Sequence, residues 1–189
     1  MNQLVHVPHG TRDRLLAAAV DFVAAHGVAD LSLRRLAAAI GTSHRMVIYH
    51  FGSKEGLLVA VVREVEERQR AALAEIDLQA GSLAELSRRL WRRLTDPALA
   101  PLERLFFEMY GQALQGRPGT TPLLEGVVNS WLDATVEVAA RHGVSAEVAR
   151  VRARVGLAVT RGLLLDLLAT GDREGVDRAM EEFLRTVDM

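Results

Sequence analysis

The stretch GTSHRMVIYHFGSKEGL, residues 41–57, decides how this chain folds. Gly41 is a residue type that ends helices, and Ser43 is one that begins them. Ser53, followed by Lys54 and a glutamate, begins another helix. The residues between the two serines are mostly long polar side chains and flat rings, which fill a core poorly. We therefore predict a short helix that begins at Ser43, runs through residue 51 and keeps its outer face for binding.

The segment before Gly41 completes a helix-turn-helix unit. Ser32 is placed to cap a short helix with leucines and Ala37 on its inner side. A small residue at 37, glycine at 41 and branched Val47 let two helices cross steeply. Val47 and Phe51 lie one turn apart and are expected to point inward.

The outer face of the helix from Ser43 carries hydrogen-bond donors and rings that suit phosphates and base edges in a DNA major groove. The helix starts at Ser43 and Ser53 also provide backbone N–H groups for phosphates. The same geometry occurs in proteins that never touch DNA, so the spacing leaves a DNA-binding and a purely structural interpretation open. The outer residues are His44, Arg45, Met46, Tyr49 and His50.

The rest of the chain is also helical in pattern, and no alternating run of β-branched residues predicts a strand. A first helix is expected from a cap at Thr11 to Gly27, and a long fourth helix from Ser53 to about Ile76. Counting five further segments, we predict about nine helices and an all-α fold. The further segments are residues 82–96, 102–116, 123–143, 146–171 and 173–187.

Composition narrows the function classes. The chain has no cysteine, which excludes disulfides and thiolate chemistry, and we expect no cofactor and no metal. Residues 1–54 hold six basic and three acidic side chains, whereas residues 55–189 hold 17 basic and 21 acidic ones. A basic start on an acidic body favours a polyanionic partner for the start. No signal peptide opens the sequence and no apolar run is long enough to span a bilayer, so a cytoplasmic protein is expected.

Residues 11–58, TRDRLLAAAVDFVAAHGVADLSLRRLAAAIGTSHRMVIYHFGSKEGLL, resemble the N-terminal domain of the tetracycline-repressor (TetR) family of bacterial regulators. The resemblance implies a three-helix DNA-binding domain over residues 1–54. It implies a helical effector-binding and dimerisation domain over residues 55–189. It further implies a homodimeric repressor that binds a palindromic operator of double-stranded DNA and is released by a small molecule.

The resemblance also assigns roles to residues. Ser32 and Arg34 would touch phosphate, and Tyr49, His50 and the sole lysine, Lys54, would hold the DNA backbone. The base-facing residues would be Thr42, His44, Arg45 and Met46, after the cap at Ser43. Members commonly have a Gly-Thr pair where this chain has Arg45 and Met46, which implies a different operator. They often have an aromatic residue where this chain has Ile48.

An effector cavity is expected among the aromatic residues of the C-terminal half. A cavity needs apolar walls and a few polar groups, which Gln112 and Thr135 are candidates to provide. Plain core packing remains the alternative for each aromatic side chain. The predicted ligand-binding residues are Trp91, Phe106, Phe107, Tyr110, Asn129 and Trp131.

The last two helices are rich in leucine, valine and alanine, which favours a dimer interface to which each subunit contributes two helices. Burial inside one subunit is the alternative. Asp166 within LLLDLL would need a partner if buried, and an arginine of the other subunit is a candidate. The predicted interface residues are Val155, Val159, Gly162, Leu163, Asp166, Met180 and Phe183.

Two other function classes fit the sequence less well. An enzyme would need a catalytic grouping such as Ser-His-Asp, a phosphate loop or an acidic metal cluster, and none is present in the pattern. A membrane-surface protein could use RRLWRRL, residues 88–94, but those arginines suit a solvated face. A helical binding protein without catalysis is the remaining alternative.

Overall fold

The computed structural model describes residues 10–28, 31–78 and 80–187, and within these ranges every regular element is helical. The all-α prediction is therefore confirmed. In these three ranges two short 3-10 helices, Pro97–Leu99 and Thr121–Leu124, accompany nine α-helices. The α-helices are α1 (Thr11–His26), α2 (Leu33–Ala39), α3 (His44–Phe51), α4 (Lys54–Asp77), α5 (Leu83–Leu94), α6 (Ala100–Leu114), α7 (Asn129–Arg141), α8 (Ala146–Thr170) and α9 (Arg173–Val187).

Three serines begin the helices of the N-terminal region, as predicted. The hydroxyl oxygens of Ser32, Ser43 and Ser53 each accept a hydrogen bond from the backbone N–H three residues later. The distances are 3.2, 3.2 and 2.9 Å respectively. Each bond satisfies one N–H that a helix start leaves free. The first helix differs from the prediction, because Thr11 is its first residue and Gly10 occupies the cap position.

The turn between α2 and α3 has the predicted geometry. Gly41 has a φ of +71°, a conformation that other residues adopt at a cost. The N–H of Thr42 donates to the carbonyl oxygen of Ala37 at 2.9 Å, which closes the turn. Ala37 and Val47 are buried beneath the two helices, in the same apolar core as residues of α1, α4 and α6.

The first two turns of α4 belong to this N-terminal core. Leu57, Leu58 and Val61 are buried in it, and α1 packs against both α4 and α6. The predicted domain boundary after residue 54 therefore lies at the first turn of a helix that contributes to both halves. That boundary remains a prediction.

In the C-terminal half α5, α6 and α7 pack against α4, α8 packs against α6 and α7, and α9 packs against α5 and α8. Two further apolar clusters form the core of this half, one around Trp91 and Leu184 and one around Leu73 and Trp131. Asp77, at the end of α4, accepts hydrogen bonds from Arg141 at 2.6 Å and is 2.7 Å from the His142 ring nitrogen. These contacts tie α4 to α7. Among the described helices none is long and apolar enough to cross a membrane.

Candidate functional site

The outer face of α3 projects away from the core. His44, Arg45 and Met46 are exposed, and Tyr49 has 78% of its surface accessible. Val47, by contrast, is fully buried. Val47 and half-buried Phe51 thus fix the helix against the core, while the side chains on the other face stay free. This face, which we call the α3 outer face, also includes Ile48.

His50 is placed differently from the other predicted contacts. Its ring lies edge-on to the rings of Tyr49 and Phe51, at centroid distances of 5.0 and 6.3 Å. Its Nε2 atom is buried and has no hydrogen-bond partner among the described residues. A contact from His50 to an outside group would therefore use the other ring nitrogen, Nδ1.

Basic and hydroxyl groups flank the α3 outer face. Ser32 and Arg34 are exposed at the start of α2, and Lys54 is half-buried at the first position of α4. Sequence reasoning missed Arg12, whose guanidinium lies 5.2 Å from the centre of the Phe51 ring. Because Arg12 lies far from α3 along the chain, the sequence pattern did not indicate this contact.

A second candidate site is a partly open cavity of about 360 Å³ between helices of the C-terminal half. Four of the six predicted residues line it: Trp91, Phe106, Phe107 and Trp131. Thr135 also lines it. Two predicted residues do not. Tyr110 stacks on the Phe106 ring, at a centroid distance of 5.5 Å, and does not reach the cavity. Asn129 is the first residue of α7 and is exposed to solvent.

The cavity wall contains a buried carboxylate held by an indole. Trp131 Nε1 donates to a carboxylate oxygen of Glu66 at 2.6 Å, and Arg161 lies 3.6 Å from the same oxygen. Burial raises the pKa of Glu66, and the hydrogen bond and the charges of Arg161 and Arg70 work against that rise. Glu66 is therefore paired within the protein.

Arg161 is the less exposed of the two arginines that line the cavity, the other being exposed Arg152. The guanidinium carbon of Arg161 lies 4.9 Å from the centre of the Phe106 ring and 5.5 Å from that of Tyr110. It also donates to the carbonyl oxygen of Val127 at 2.9 Å. The arginine therefore has partners on two rings, one carbonyl and one carboxylate.

Glu103 is a further charged residue of the wall and differs from Glu66 and Arg161. Only 7% of its surface is accessible, and within the described residues it has neither a hydrogen bond nor an ion pair. Burial and the nearby charge of Glu66 raise its pKa to about 8, against the opposing effect of Arg161. Sequence reasoning missed all three charged residues. The signal for two of them was a charge inside an apolar stretch, as in LERLFF and VTRGLLL.

A row of small and apolar residues runs along the outside of α8. Its members are exposed and recur alternately every three and four residues, the spacing that keeps one helix face toward a partner. We call this row the α8 seam. It comprises Val148, Val151, Val155, Ala158, Gly162, Leu165 and Ala169.

The residues predicted for a dimer interface fall partly on this seam and partly elsewhere, and the interface itself remains a prediction. Val155 and Gly162 belong to the seam, and exposed Asp166 lies beside it without needing a buried partner. Met180 is instead buried, and Phe183 is half-buried, and both line the cavity because they lie on the inner side of α9. The remaining two predicted residues, Val159 and Leu163, are half-buried and pack inward around Trp91 and Leu164.

The part of the chain that the structure describes contains no cluster of histidine and carboxylate side chains able to hold a metal ion.

Comparisons with known proteins agree with this arrangement. Residues 15–61 match the family described as bacterial regulatory proteins, tetR family. The HTH-type transcriptional repressor AcnR of Corynebacterium glutamicum is 32% identical over 87 residues, which are 44% of this chain and 46% of the relative. The chain spans about half the length of the curated relatives that it matches.

Solved structures extend the likeness to nearly the whole chain. A TetR transcriptional regulator from Legionella pneumophila has the same fold, with a TM-score of 0.64, 21% identity and coverage of 97% of this chain and 99% of that one. The multidrug binding protein EbrR, solved in complex with proflavin, is 28% identical, with a TM-score of 0.63 and coverage of 92% and 98%. The N-terminal sequence over residues 15–61 is thus similar to that of the tetR family of bacterial regulatory proteins, and the fold is shared along nearly the whole chain with solved TetR regulators.

Proposed function

We propose that this protein is a transcriptional repressor that binds an operator in double-stranded DNA through the α3 outer face. The observation that carries the proposal is the contrast within α3. Val47 is fully buried, whereas the donors around it are exposed at the start of a helix short enough to enter a major groove. Arg45 and Met46 suit a guanine edge and a thymine methyl group. Cytoplasmic DNA is the expected partner.

The proposed contacts are of two kinds: contacts to phosphates, which position the protein on the DNA, and contacts to bases, which read the sequence. Ser32, Arg34, Tyr49, His50 and Lys54 would hold phosphates, which fixes the register but carries no sequence information. The readers would be Thr42, His44, Arg45 and Met46, behind the cap at Ser43. Repression, rather than activation, is proposed because the similar AcnR protein is described as a repressor.

A homodimer is proposed because the α8 seam leaves a long apolar row uncovered on each chain. Small residues in a three-and-four spacing let two helices pack closely about a two-fold axis. Two copies of α3 would then meet two half-sites, so that the operator is a palindrome. Half-sites read from one side of the duplex lie about 34–36 Å apart or a little more.

A small-molecule effector is proposed to occupy the cavity and release the DNA. The cavity wall includes Glu66 of α4, and the same helix begins at Lys54 beside the α3 outer face. A ligand that displaces α4 would therefore move the DNA-binding region. The proflavin complex of the similar protein EbrR supports a ligand in this fold. The domains proposed are residues 1–54 for DNA and residues 55–189 for effector and dimerisation.

The test is selection of binding sites from a random double-stranded DNA library by the wild-type protein and by Arg45→Ala. We expect a palindrome from the wild type. If Arg45 contacts a base, Arg45→Ala should lose selection at one base pair in each half-site, at a cost of about 1–3 kcal/mol on the preferred sequence.

Arg92→Ala is the matched control, since Arg92 is exposed on α5 in the C-terminal half. It should select the wild-type site. Failure of the wild type to enrich any sequence would contradict the proposed function. Identical preferences with uniformly weaker binding by Arg45→Ala would assign Arg45 to the DNA backbone.

A further inference from the structure

The cavity contains one buried carboxyl group that no described residue pairs. Glu103 is more than nine-tenths buried, lines the cavity and accepts no hydrogen bond from any part of the chain that the structure describes. Buried polar groups in proteins nearly always have a partner, because removing one from water without compensation is costly. The carboxyl group of Glu103 is therefore placed to meet a group that comes from outside.

The other charges in the cavity wall are already matched. Glu66 accepts from the indole of Trp131 and lies near Arg161. Arg161 in turn donates to a carbonyl oxygen and stacks on two rings. Arg152 also lines the cavity but is exposed to water at its rim. Glu66 also lies 4.0 Å from Arg70, so Glu66 has two arginine partners, and Glu103 is the carboxyl group of the wall that has no ion pair among the described residues.

We propose that the effector of this protein is an aromatic organic cation and that Glu103 is its counterion. The rings of Trp91, Phe106, Phe107 and Trp131 form much of the wall, and aromatic faces attract cations as well as flat ligands. The volume of about 360 Å³ suits a ligand of a few fused rings. The inference names the chemical class of the effector and so rests on the proposed function.

A cation can form an ion pair with the one carboxyl group of the wall that no described residue pairs. An anion would keep Glu103 protonated and would gain no ion pair from it. A ring without a polar group would leave the carboxyl group of Glu103 without a hydrogen-bond partner. In the empty cavity, burial raises the pKa of Glu103 to about 8. A bound cation favours the ionised carboxylate, so below pH 8 a proton should leave Glu103 as the ligand enters.

The first test uses wild-type protein and three ligands with one ring system. These are 9-aminoacridine, which is cationic at neutral pH, acridine, which is uncharged, and acridine-9-carboxylate, which is anionic. Titration calorimetry of the full chain near pH 7, in buffers with different heats of ionisation, gives the affinity and the number of protons released. We expect the cation to bind at least about tenfold more tightly than either analogue.

Proton release should accompany that binding. Near pH 7 close to one proton should be released for each cation bound, and the affinity should weaken about tenfold for each further unit of decrease in pH. Equal or tighter binding of acridine or its carboxylate would overturn the proposal. Binding of the cation without proton release would overturn it as well.

The second test uses Glu103→Gln, which keeps the size of the side chain and removes its charge. Its affinity for 9-aminoacridine should fall at least about tenfold and lose its dependence on pH. Glu108→Gln is the control, since Glu108 lies exposed on the same helix and accepts from Gln112 at 3.0 Å. It should bind like wild type. Wild-type affinity in Glu103→Gln would overturn the proposal.

The DNA selection separates this inference from the proposed function. A protein that selects a palindrome but shows no preference for the cationic acridine overturns the inference alone. A protein that prefers the cation, with proton release, but enriches no DNA supports the cavity chemistry and contradicts the proposed function.

Discussion

Gly56 lies where α4 departs from α3, and the space there admits no side chain. A Cβ atom at this position would stand 2.1 Å from the carbonyl oxygen of Phe51, a backbone atom that cannot swing away. The N–H of Gly56 also donates to the Ser53 hydroxyl at 2.9 Å. The absence of a Cβ therefore sets how closely α4 approaches the end of α3, and through it the position of Lys54 beside the α3 outer face.

Gly56→Ala should therefore destabilise the protein even though alanine is the better helix former. We expect a loss of about 1–3 kcal/mol in the free energy of unfolding, the usual cost of forcing atoms into filled space. Gly111→Ala is the matched control, because Gly111 lies within α6 and a Cβ there meets no atom within 4 Å. It should gain about 0.5–1 kcal/mol. Chemical unfolding measures both, and equal behaviour of the two variants would contradict the steric argument.

The buried side chain of Glu103 is suited to pair with a bound cation, but without a ligand it lowers the stability of the folded protein as pH rises. Because burial raises its pKa to about 8, the folded protein holds a proton that the unfolded chain, with a glutamate pKa near 4.5, releases. A carboxyl group whose pKa is higher in the folded than in the unfolded state contributes least to the free energy of unfolding at high pH. Its contribution is fully present below about pH 4.5 and is lost as pH rises through about 8.

Glu103→Gln should thus gain stability relative to wild type as pH rises. The difference in unfolding free energy between the two proteins should grow by about 1–4 kcal/mol between about pH 5 and about pH 9. Urea unfolding of both proteins without ligand, at several pH values, measures this difference. The other titrating groups are the same in both proteins, so their contributions cancel. Glu108→Gln should show no such growth, since Glu108 is exposed. A difference that is flat or shrinks with pH would contradict the assignment.

The starts of some helices could be predicted from the sequence, whereas the contacts between helices could not. The starts of α2, α3 and α4 could be predicted because a serine and the N–H three residues later form a bond within one turn. The polar wall of the cavity could not, because Glu66, Glu103 and Arg161 meet only when α4, α6 and α8 pack together. The same limit misplaced Asn129. The helix predicted over residues 123–143 begins only at Asn129, and this residue faces solvent.

The α8 seam is a property of a whole element, and it yields a prediction about assembly. Val151, the second residue of the seam, is 64% exposed. Val151→Glu would place two unpaired carboxylates against apolar surface in the dimer, and each valine removed forfeits about 1.5–3 kcal/mol of burial. We expect wild type to be a dimer at micromolar concentration by light scattering, and Val151→Glu to be a folded monomer by light scattering and circular dichroism.

Leu114→Glu is the control for that experiment. Leu114 is 65% exposed at the end of α6, away from the seam, so its replacement should leave the dimer intact. A monomeric wild type would refute the proposed interface outright. A dimeric Val151→Glu would show that the contact between chains lies on another surface.

In the whole molecule, α4 is the element that both candidate sites share. Lys54 begins it and Glu66 lies twelve residues later, which is about 18 Å along a helix. The segment between α6 and α7 packs against the first half of α4, where Arg63 donates to the carbonyl oxygen of Pro122. Family resemblance over residues 11–58 could predict the outline of this arrangement. The cavity chemistry could not be foreseen, because it depends on packing between distant segments.

The last prediction concerns the electrostatics of the proposed complex with DNA. If Lys54 holds a phosphate, Lys54→Ala should weaken binding to the selected operator and to unrelated DNA by similar factors. The logarithm of the binding constant falls with the logarithm of salt concentration by about 0.9 for each phosphate neutralised. A dimer loses two such contacts, so the slope should become shallower by about 1.8. Fluorescence anisotropy over a range of salt concentrations measures it. Arg92→Ala should keep the wild-type slope, because exposed Arg92 lies on α5 in the C-terminal half. An unchanged slope with lost sequence preference would instead make Lys54 a reader of bases.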